Sequence, residues 1–373
     1  MPTTPVYALP WPLGSELVKD GDDVIRALAE RVEALLAQRD VQPGFRNVLR
    51  NGDMGIAQRG ITFTPTPTSG VPFLDGWTCH KVGGTVNGFR DVAPLTAGMG
   101  LDGAGYMATV QIIGQAAAGD FCVFQQSVEG VRTLAGEQVT LSFLAYASAG
   151  TPKVGIEMEQ VFGTGGSPSA AVTSNNQAIT LSTTPTRYIV TFTIPSIAGK
   201  TLGSTGNDRL AVNLWLSSGS GTYAARASNI GIQNAIFYFT DIQLEAGPVA
   251  TPFERLPQQM QLAWCQRYFW RWSCPSGQPL AIGMFWTAGS PYFIVKLPQP
   301  MRAVPTVTLP PPGNVTAYGN TVAAAFSALT AANLTNEQVE ISGAAGSVGI
   351  AGGGALIRGT GGLVPNFDFS AEL

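Results

Sequence analysis

Two carboxylates on one short segment are the residues best spaced for chemistry. Glu157 and Glu159 lie in an alternating run, Val154–Val161, so a β-strand would present both on one face. Their Cα atoms would then be roughly 6.5 Å apart. A glycosidase needs two carboxylates that flank the scissile bond, and this pair has the residue types for it. The same pattern is typical of a solvated strand face, and no third polar anchor accompanies it, so we expect no hydrolysis.

The single histidine offers little for catalysis or for metal binding. His80 directly follows Cys79, but neighbours on a strand point to opposite faces, which argues against a Cys–His nucleophilic pair. A lone histidine also removes any multi-histidine metal site. We interpret His80 as an ordinary edge or surface residue, and we predict that the protein is not an enzyme.

The four cysteines are scattered without the Cys-x-x-Cys spacing of a zinc or redox site. We expect free buried thiols, as in a protein made in a reducing cytoplasm. Cys265 and Cys274 form the one pair worth checking for a disulfide or a metal. The other two cysteines are Cys79 and Cys122.

Charged residues make up only 12% of the 373 residues, about half the usual share of a soluble domain. Such a surface must be hydrated by uncharged polar groups or buried against copies of the same chain. A net charge of −3 without basic clusters argues against nucleic acid. Met1–Pro12 lacks the pattern of a secretory signal, and the longest apolar run, Val322–Ala332, is too short to span a bilayer, so we predict no membrane insertion.

Two short segments precede the body of the chain. Residues 1–19 are rich in proline and should form an extended arm, which could lie in a groove of another protein or pack on its own oligomer. Residues 20–40 should form a short coiled-coil helix, because four apolar residues follow the a and d spacing. The alternative is a helix packed on its own β domain. The apolar residues are Tyr7, Leu9 and Trp11 in the arm, and Ile25, Leu28, Val32 and Leu35 in the helix.

Over residues 41–256 the apolar pattern switches to the alternation of β-strands. Runs of alternating residues are separated by turn clusters such as Gly163–Ser169. Repeated half-buried strands with polar turns predict an antiparallel β-sandwich, a jelly roll. The predicted core faces are Val139, Leu141, Phe143 and Ala145; Tyr188, Val190, Phe192 and Ile194; Leu210, Val212, Leu214 and Leu216; and Ile236, Tyr238, Ile242 and Leu244.

Residues 257–373 should form a separate C-terminal β-sandwich, the tip domain. Gln258–Phe269 suits a short helix at the junction, and strands are expected at Leu280–Trp286 and Tyr292–Leu297. Residues 303–336 contain no charged side chain, so we infer that much of this surface faces identical neighbours. The predicted fold class is mainly β, with a short N-terminal coiled-coil helix.

Several stretches resemble the tail fibres of tailed bacteriophages and related virion appendages. The resemblance is good over roughly residues 47–270 and weak over the last hundred. The stretches resemble the opening, middle and closing strands of the central domain of such fibres, the segment that commonly follows it, and the closing strand of their C-terminal domains. The stretches are Asn47–Gly60, Asp75-Gly76-Trp77, Val128–Ser148, Phe239–Glu254, Cys265–Trp270 and Phe367–Leu373.

This resemblance implies a homotrimer whose arm is seated on another virion protein, in the tail, the baseplate or the capsid, and whose distal domain meets the host. It implies a virion localisation after synthesis in the bacterial host cytoplasm. The central part is similar to jelly-roll carbohydrate-binding modules, which often clamp their first and last strands with calcium. Asn51, Asp53 and Asp241 fall at the matching places and offer oxygen ligands. The same residues also suit turns that bond to local backbone.

Sugar recognition needs flat aromatic faces beside amides and carboxylates, and such aromatics are also common core residues. We therefore predict a structural virion protein, a trimeric phage tail fibre that binds a host-surface glycan. The alternatives are a head fibre or capsid decoration protein without an obligatory receptor, and a polysaccharide-depolymerising tailspike. The candidate platforms are Trp77, Trp215, Tyr223, Trp286 and Tyr318.

Overall fold

Antiparallel strands dominate the protein. The computed structural model describes residues 23, 25–32, 45–63, 70–93, 104–174, 176–320, 322–360 and 362–373. Within them lie a helix α1 (Gln258–Gln266) and a short 3-10 helix (Pro312–Asn314). The fold is mainly β, as the sequence predicts.

Thirteen strands of the described residues build a first sandwich of two sheets. One sheet has the order β1-β4-β5-β13-β7-β11, and the other has the order β10-β8-β12-β6-β3-β2 with β9 beside β8. The chain crosses repeatedly between the two sheets from β5 to β13, unlike a simple meander. The strands are β1 (Thr62–Phe63), β2 (Val71–Pro72), β3 (Trp77–Val82), β4 (Thr85–Val92), β5 (Tyr106–Ile113), β6 (Phe121–Glu129), β7 (Gln138–Ala147), β8 (Lys153–Val161), β9 (Val172–Thr173), β10 (Gln177–Thr180), β11 (Thr186–Thr193), β12 (Arg209–Ser218) and β13 (Ile236–Ala246).

The alternating runs of the sequence supply the core of this sandwich. The predicted faces on β7, β11 and β12 all pack inward; Leu141, Phe143 and Leu214 have no exposed surface. Leu141 and Phe143 on β7 share this core with Phe124 and Trp77 of the opposite sheet. The Trp77 and Phe124 rings stack with centroids 4.7 Å apart. Each fully buried large side chain of this kind contributes roughly 1.5–3 kcal/mol to folding.

Strand β13 departs from the predicted alternation. Phe237 and Phe239 point into the core, whereas Tyr238 lies outside and stacks on Tyr146 at 4.3 Å. The register against β7 shifts between Thr240 and Gln243, so the chain re-enters the core with Ile242 and Leu244 as expected. The prediction that Ile236 and Tyr238 face the core is therefore wrong, because a β-bulge inverts the phase in mid-strand.

In the part of residues 269–373 that the structure describes, ten strands build the second sandwich. Its sheets have the orders β14-β23-β17 and β19-β18-β22-β15-β16-β21-β20. The predicted junction helix corresponds to α1, and the two predicted strands correspond to β15 and β16. The strands are β14 (Phe269–Ser273), β15 (Pro279–Thr287), β16 (Ser290–Lys296), β17 (Thr306–Thr308), β18 (Val315–Tyr318), β19 (Ala323–Ala325), β20 (Ala328–Ala332), β21 (Gln338–Ala344), β22 (Gly354–Gly359) and β23 (Asn366–Ser370).

A second core, separate from the first, fills this sandwich. Phe367 and Phe369 on β23 pack between the two sheets, and Trp270 stacks on Phe369 at 5.2 Å. Phe285 on β15 and Phe293 on β16 complete the core from the seven-stranded sheet. The alternation that buries these phenylalanines turns their neighbours on β15 and β16 outward.

Polar contacts join the two sandwiches. The carboxylate of Glu372 forms salt bridges with Arg59 at 3.0 Å and with Arg50 at 3.5 Å, both from the first sandwich. Arg267, just after α1, binds Glu129 of β6 through two hydrogen bonds. The last residues thus return to the first sandwich and hold the second one against it. We call these contacts the joint.

The described N-terminal residues are helical at 23 and 25–32. Ile25, Leu28 and Val32 are exposed there, and Leu35 lies outside the described residues. The arm residues Tyr7, Leu9 and Trp11 lie outside them as well. None of the helices in the described part of the chain has the length and hydropathy to cross a bilayer.

The four cysteines are buried and free. The Sγ atoms of Cys79 and Cys122 lie 3.7 Å apart on the adjacent strands β3 and β6. The hydrogen bond to Cys79 and burial raise the pKa of the Cys122 thiol, which keeps it protonated and unreactive.

Candidate functional site: an aromatic groove on the second sandwich

The outer face of the seven-stranded sheet in the second sandwich is apolar and open. Ile282, Met284 and Trp286 alternate on β15, and Ile294 lies on the same face of β16. All four are exposed, and Trp286 shows 76% of its surface to solvent. An exposed tryptophan among apolar neighbours commonly marks a contact surface.

A groove of about 750 Å³ opens beside Trp286. Tyr292 stands against Trp286 in a T-shaped arrangement, with ring centroids 6.4 Å apart. The described lining residues are Trp286, Ser290, Tyr292, Ala328, Thr330, Glu340, Ser342, Gly343 and Ala344. We call this site the Trp286 groove.

The polar side of the Trp286 groove is built by β20 and β21. Glu340 on β21 pairs with Ile294 of β16 and with Ala332 of β20. Asn333 donates a hydrogen bond of 2.9 Å from Nδ2 to Glu340 Oε2 and so orients the carboxylate. A flat aromatic face opposite a carboxylate and hydroxyl groups is the combination that can hold a sugar ring and its hydroxyls.

The first sandwich carries a polar row across its seven-stranded sheet. Gln125 donates from Nε2 to Asn213 Oδ1 at 2.6 Å, and Asn213 donates from Nδ2 to Glu157 Oε2 at 2.9 Å. His80 Nε2 and Gln125 Oε1 lie 3.2 Å apart at the other end. Burial lowers the pKa of His80, so the ring is neutral at pH 7. We call this set, which continues to Arg226, the polar row.

Arg226 lies at the end of the polar row and forms salt bridges with both of its carboxylates. It donates from Nε and Nη2 to the two oxygens of Glu157 at 2.8 and 2.7 Å, and it pairs with Glu159 at 2.8 Å. The pairing with Glu157 raises the pKa of Arg226. The carboxylates that suggested a glycosidase therefore have a structural use, and Glu157 is almost fully buried.

The segment that carries Arg226, residues 219–231, covers this face. A Cβ on Gly155 would lie 2.5 Å from the backbone oxygen of Ala227, so glycine permits the close approach of the loop to β8. Tyr223 packs edge-on against Phe121 at 4.8 Å. Trp215 lies underneath and is only 3% exposed, so it offers no platform; Tyr223 keeps 36% of its surface exposed at the rim.

Trp77 is a core residue and does not face solvent. It has no exposed surface, and its Nε1 donates to the backbone oxygen of Asn51 at 3.1 Å. This corrects the prediction of a ligand platform. The strand alternation that places Trp77 beside Phe124 in the core leaves neither of its ring faces free.

The residues proposed for calcium are engaged otherwise. Asn51 accepts from Ile56 N through Oδ1, and its Nδ2 donates to the backbone oxygens of Ile56 and Asp75. Asp53 accepts from Gly55 N and from Gln261. These are the local and tertiary hydrogen bonds of a turn residue, and they commit the groups that calcium would need.

Asp241 differs from them, because its buried Oδ1 has no hydrogen-bond partner. Its other oxygen pairs with Arg255 at 2.7 Å, so a guanidinium already supplies the positive charge. No three His, Cys, Asp or Glu residues of the described ranges gather as a metal site. The donor set does not fit a calcium ion, which prefers six to eight oxygens.

Tyr318 lies on β18, beyond β22 and β15 from the groove. It is 39% exposed, and the guanidinium of Arg358 lies over its ring at 5.1 Å. Of the five predicted platforms, Trp286 alone lines the groove. Sequence reasoning missed its partner Glu340 and did not select Tyr292 as a platform. Their signal was phase: each stands one position from a core residue, Phe293 or Ile341, and so must face outward.

A cleft of about 510 Å³ lies between the first sandwich and helix α1 with the residues that flank it. Its walls include Phe45, Arg50, Glu129, Met260 and Trp264. The Glu129 carboxylate is held by Arg267 and by Tyr268 Oη at 3.0 Å. We assign this cleft to the joint, since its polar groups serve to hold the sandwiches together.

No family model matches the chain, and no curated protein matches it. Among solved structures, it is similar to the enzymatically active domain of tailspike protein 4 of bacteriophage CBA120, with 13% identity and a TM-score of 0.32 over 54% of this chain. The chain spans only 21% of that protein's length.

Carbohydrate-binding modules are also among the similar structures. A family 11 module from Clostridium thermocellum is 9% identical, with a TM-score of 0.29 over 51% of this chain and 98% of the module. The CBM22-2 xylan-binding domain from Paenibacillus barcinonensis is 13% identical, with a TM-score of 0.28 over 46% of this chain and 91% of the domain. TM-scores at this level do not establish a common fold.

Proposed function

We propose that the protein is a subunit of a trimeric phage tail fibre that binds a host-surface glycan through the Trp286 groove. The N-terminal arm would attach the trimer to another virion protein, and residues 20–40 would form its coiled coil. The observation that carries the glycan assignment is the 76% exposed Trp286 beside Tyr292, facing Glu340 across an open groove. Ring faces next to a carboxylate suit the apolar and polar sides of a sugar.

The two sandwiches would divide the work. In the first, the polar row is closed by Arg226 and by the loop 219–231, so this sandwich would serve as a rigid body between the attachment and the tip. The joint ties the second sandwich to it through Glu372 and Arg267. A binding groove on a firmly held tip would transmit attachment to the particle without a flexible hinge.

The test is binding of purified protein to glycans prepared from the host surface, measured for wild type and Trp286→Ala. We expect Trp286→Ala to reduce affinity at least about tenfold, as the loss of an aromatic stacking partner does. Ile282→Ala is the matched control, an exposed apolar residue on the same face of β15, and it should bind as wild type does. Equal binding by all three proteins would remove the groove from the proposal.

Three further measurements address the alternatives and the attachment through the arm. Incubation with the glycan should release no new reducing ends, because Glu157 and Glu159 are paired with Arg226. New reducing ends would favour a depolymerising tailspike. Deletion of residues 1–40 should leave a soluble trimer that no longer joins the virion. Antibody labelling of intact particles then places the protein on the tail, as proposed, or on the head.

A further inference from the structure

The described lining of the Trp286 groove carries a negative charge and no positive charge. Glu340 is the only charged residue among the described residues that line it. The nearest cation is Lys296 on β16, which pairs with Gln338 and is therefore a diagonal neighbour of Glu340 on the outer face. Lys296 is not among the described residues that line the groove. Arg358 lies over Tyr318 on the opposite side of β15.

The position of Glu340 gives this charge its effect. The residue is half-buried on β21, and Asn333 fixes one of its oxygens at 2.9 Å. Its carboxylate cannot swing away from a ligand without losing that hydrogen bond. A charge held at the wall of a concave site lies close to any ligand bound there and therefore acts on it at short range.

We propose that the Trp286 groove is selective by charge: it accepts a glycan that carries amino groups and rejects a polyanionic one. This inference rests on the proposed function and names the ligand class of the same site. A protonated amino group beside Glu340 would form a charge-assisted hydrogen bond. A uronic acid carboxylate at the same place would meet a like charge, with no arginine or lysine among the described lining residues to offset it.

The experiment compares three soluble probes of similar length on the intact protein: a glucosamine oligomer, its neutral N-acetylated counterpart and an oligogalacturonate. Calorimetric titration at low salt, below the pKa of the amino groups, gives each affinity. We expect the glucosamine oligomer to bind at least about tenfold more tightly than oligogalacturonate, with the neutral oligomer between them. High salt should shrink this ratio, because screening weakens exposed charges.

Glu340→Gln keeps the shape and the hydrogen-bonding capacity of the side chain and removes its charge. It should bring the ratio between the amino and the acidic probe to within about twofold, and it should leave the neutral probe unchanged. Glu337→Gln is the matched control, since Glu337 is exposed and lies outside the groove lining. This variant should keep the wild-type ratio.

The outcomes separate this inference from the function on which it rests. If oligogalacturonate binds as tightly as the amino probe, and Trp286→Ala abolishes both, charge selection is overturned while glycan binding stands. If no probe binds in a Trp286-dependent way, both are overturned. If Trp286→Ala instead changes the sedimentation coefficient of the free protein, the open face is a contact between copies of the chain, and the glycan assignment falls with the inference.

Discussion

The two sandwiches differ in how far their tryptophan side chains are exposed. In the first, Trp77 lies in the core and Trp215 lies beneath a loop that Arg226 fastens to the sheet. In the second, Trp270 and Trp272 pack against the core, but Trp286 stands open on the outer face. Strand phase decides which side of a sheet a residue takes. What covers that side depends on contacts made elsewhere: the loop over Trp215 is held by Arg226 on Glu157, 69 positions away in sequence.

The same contrast holds for charge. The outer face of the first sandwich pairs its acids with an arginine, as Glu157 and Glu159 pair with Arg226. The groove of the second leaves Glu340 with an amide partner, Asn333. A satisfied polar network stabilises a fold, whereas an acid without a cation is available to a ligand. The difference explains why we place binding in the second sandwich.

The largest expected effect tests the contrast between buried and open tryptophan. Trp77→Ala should lower the free energy of unfolding of the first sandwich by about 3–5 kcal/mol, because it leaves a cavity beside Phe124. Trp286→Ala should change it by no more than about 0.5 kcal/mol. Urea denaturation of both variants measures the two values. Similar losses would mean that Trp286 is covered in solution.

The sequence was enough for the mainly β fold, because the alternation in strands such as β7 and β12 survives intact. Leu141 and Leu214 are buried as their phase requires. The sequence did not predict the burial pattern of β13. There the register shift between Thr240 and Gln243 reverses the phase, so that Phe237 and Phe239 are in the core and Tyr238 is outside. One inserted residue at a bulge leaves no mark in an alternating pattern.

The site was only partly predictable for a related reason. Strand alternation places Trp215 and Asn213 on the face of β12 away from the core, yet the loop 219–231 covers Trp215. No local pattern predicts that Arg226 crosses to Glu157, because the contact spans 69 positions. Trp286 was recognised as a candidate by residue type, but its partner Glu340 comes from β21, more than fifty residues later along the chain.

The next largest effect tests how the loop is fastened in the first sandwich. Glu157→Gln should lower the free energy of unfolding by about 2 kcal/mol, because it leaves the partly buried Arg226 without its bidentate partner. Fluorescence quenching by acrylamide should rise as the loop over Trp215 opens. Glu159→Gln is the control, with an effect below about 1 kcal/mol, since Glu159 is more exposed and contacts a single arginine nitrogen. Unchanged quenching in Glu157→Gln would show that the aromatic contacts of Tyr223 hold the loop.

A smaller effect is expected at the joint between the sandwiches. Glu372→Gln removes the charge that Arg50 and Arg59 share, and should cost about 1 kcal/mol of coupling between the two cores. Differential scanning calorimetry should show one broad transition splitting toward two. Glu337→Gln, on an exposed turn of the second sandwich, should leave the trace unchanged. A trace from Glu372→Gln that keeps the wild-type shape would assign the coupling to Arg267 and Glu129 instead.

The smallest effect concerns a single buried carboxyl of the first sandwich. Burial raises the pKa of Asp241, although Arg255 opposes the shift. The folded protein therefore holds this proton more tightly than the unfolded chain, so the stability that Asp241 contributes is present below the ordinary aspartate pKa of about 3.9 and is lost as pH rises through the native value.

Asp241→Asn should remove this part of the pH dependence. Asparagine tolerates the positive φ of 50° at this position, and at pH 7 the variant should lie within about 1 kcal/mol of wild type, because the lost Arg255 pair is offset by relief of a buried charge. Denaturation at a series of pH values measures the difference, which should grow in favour of wild type only as the pH falls toward 4. If calcium raises the Tm of wild type and not of Asp241→Asn, the unpartnered Oδ1 binds the ion. The first sandwich would then have a ligand site of its own, although Glu157 and Glu159 are paired with Arg226.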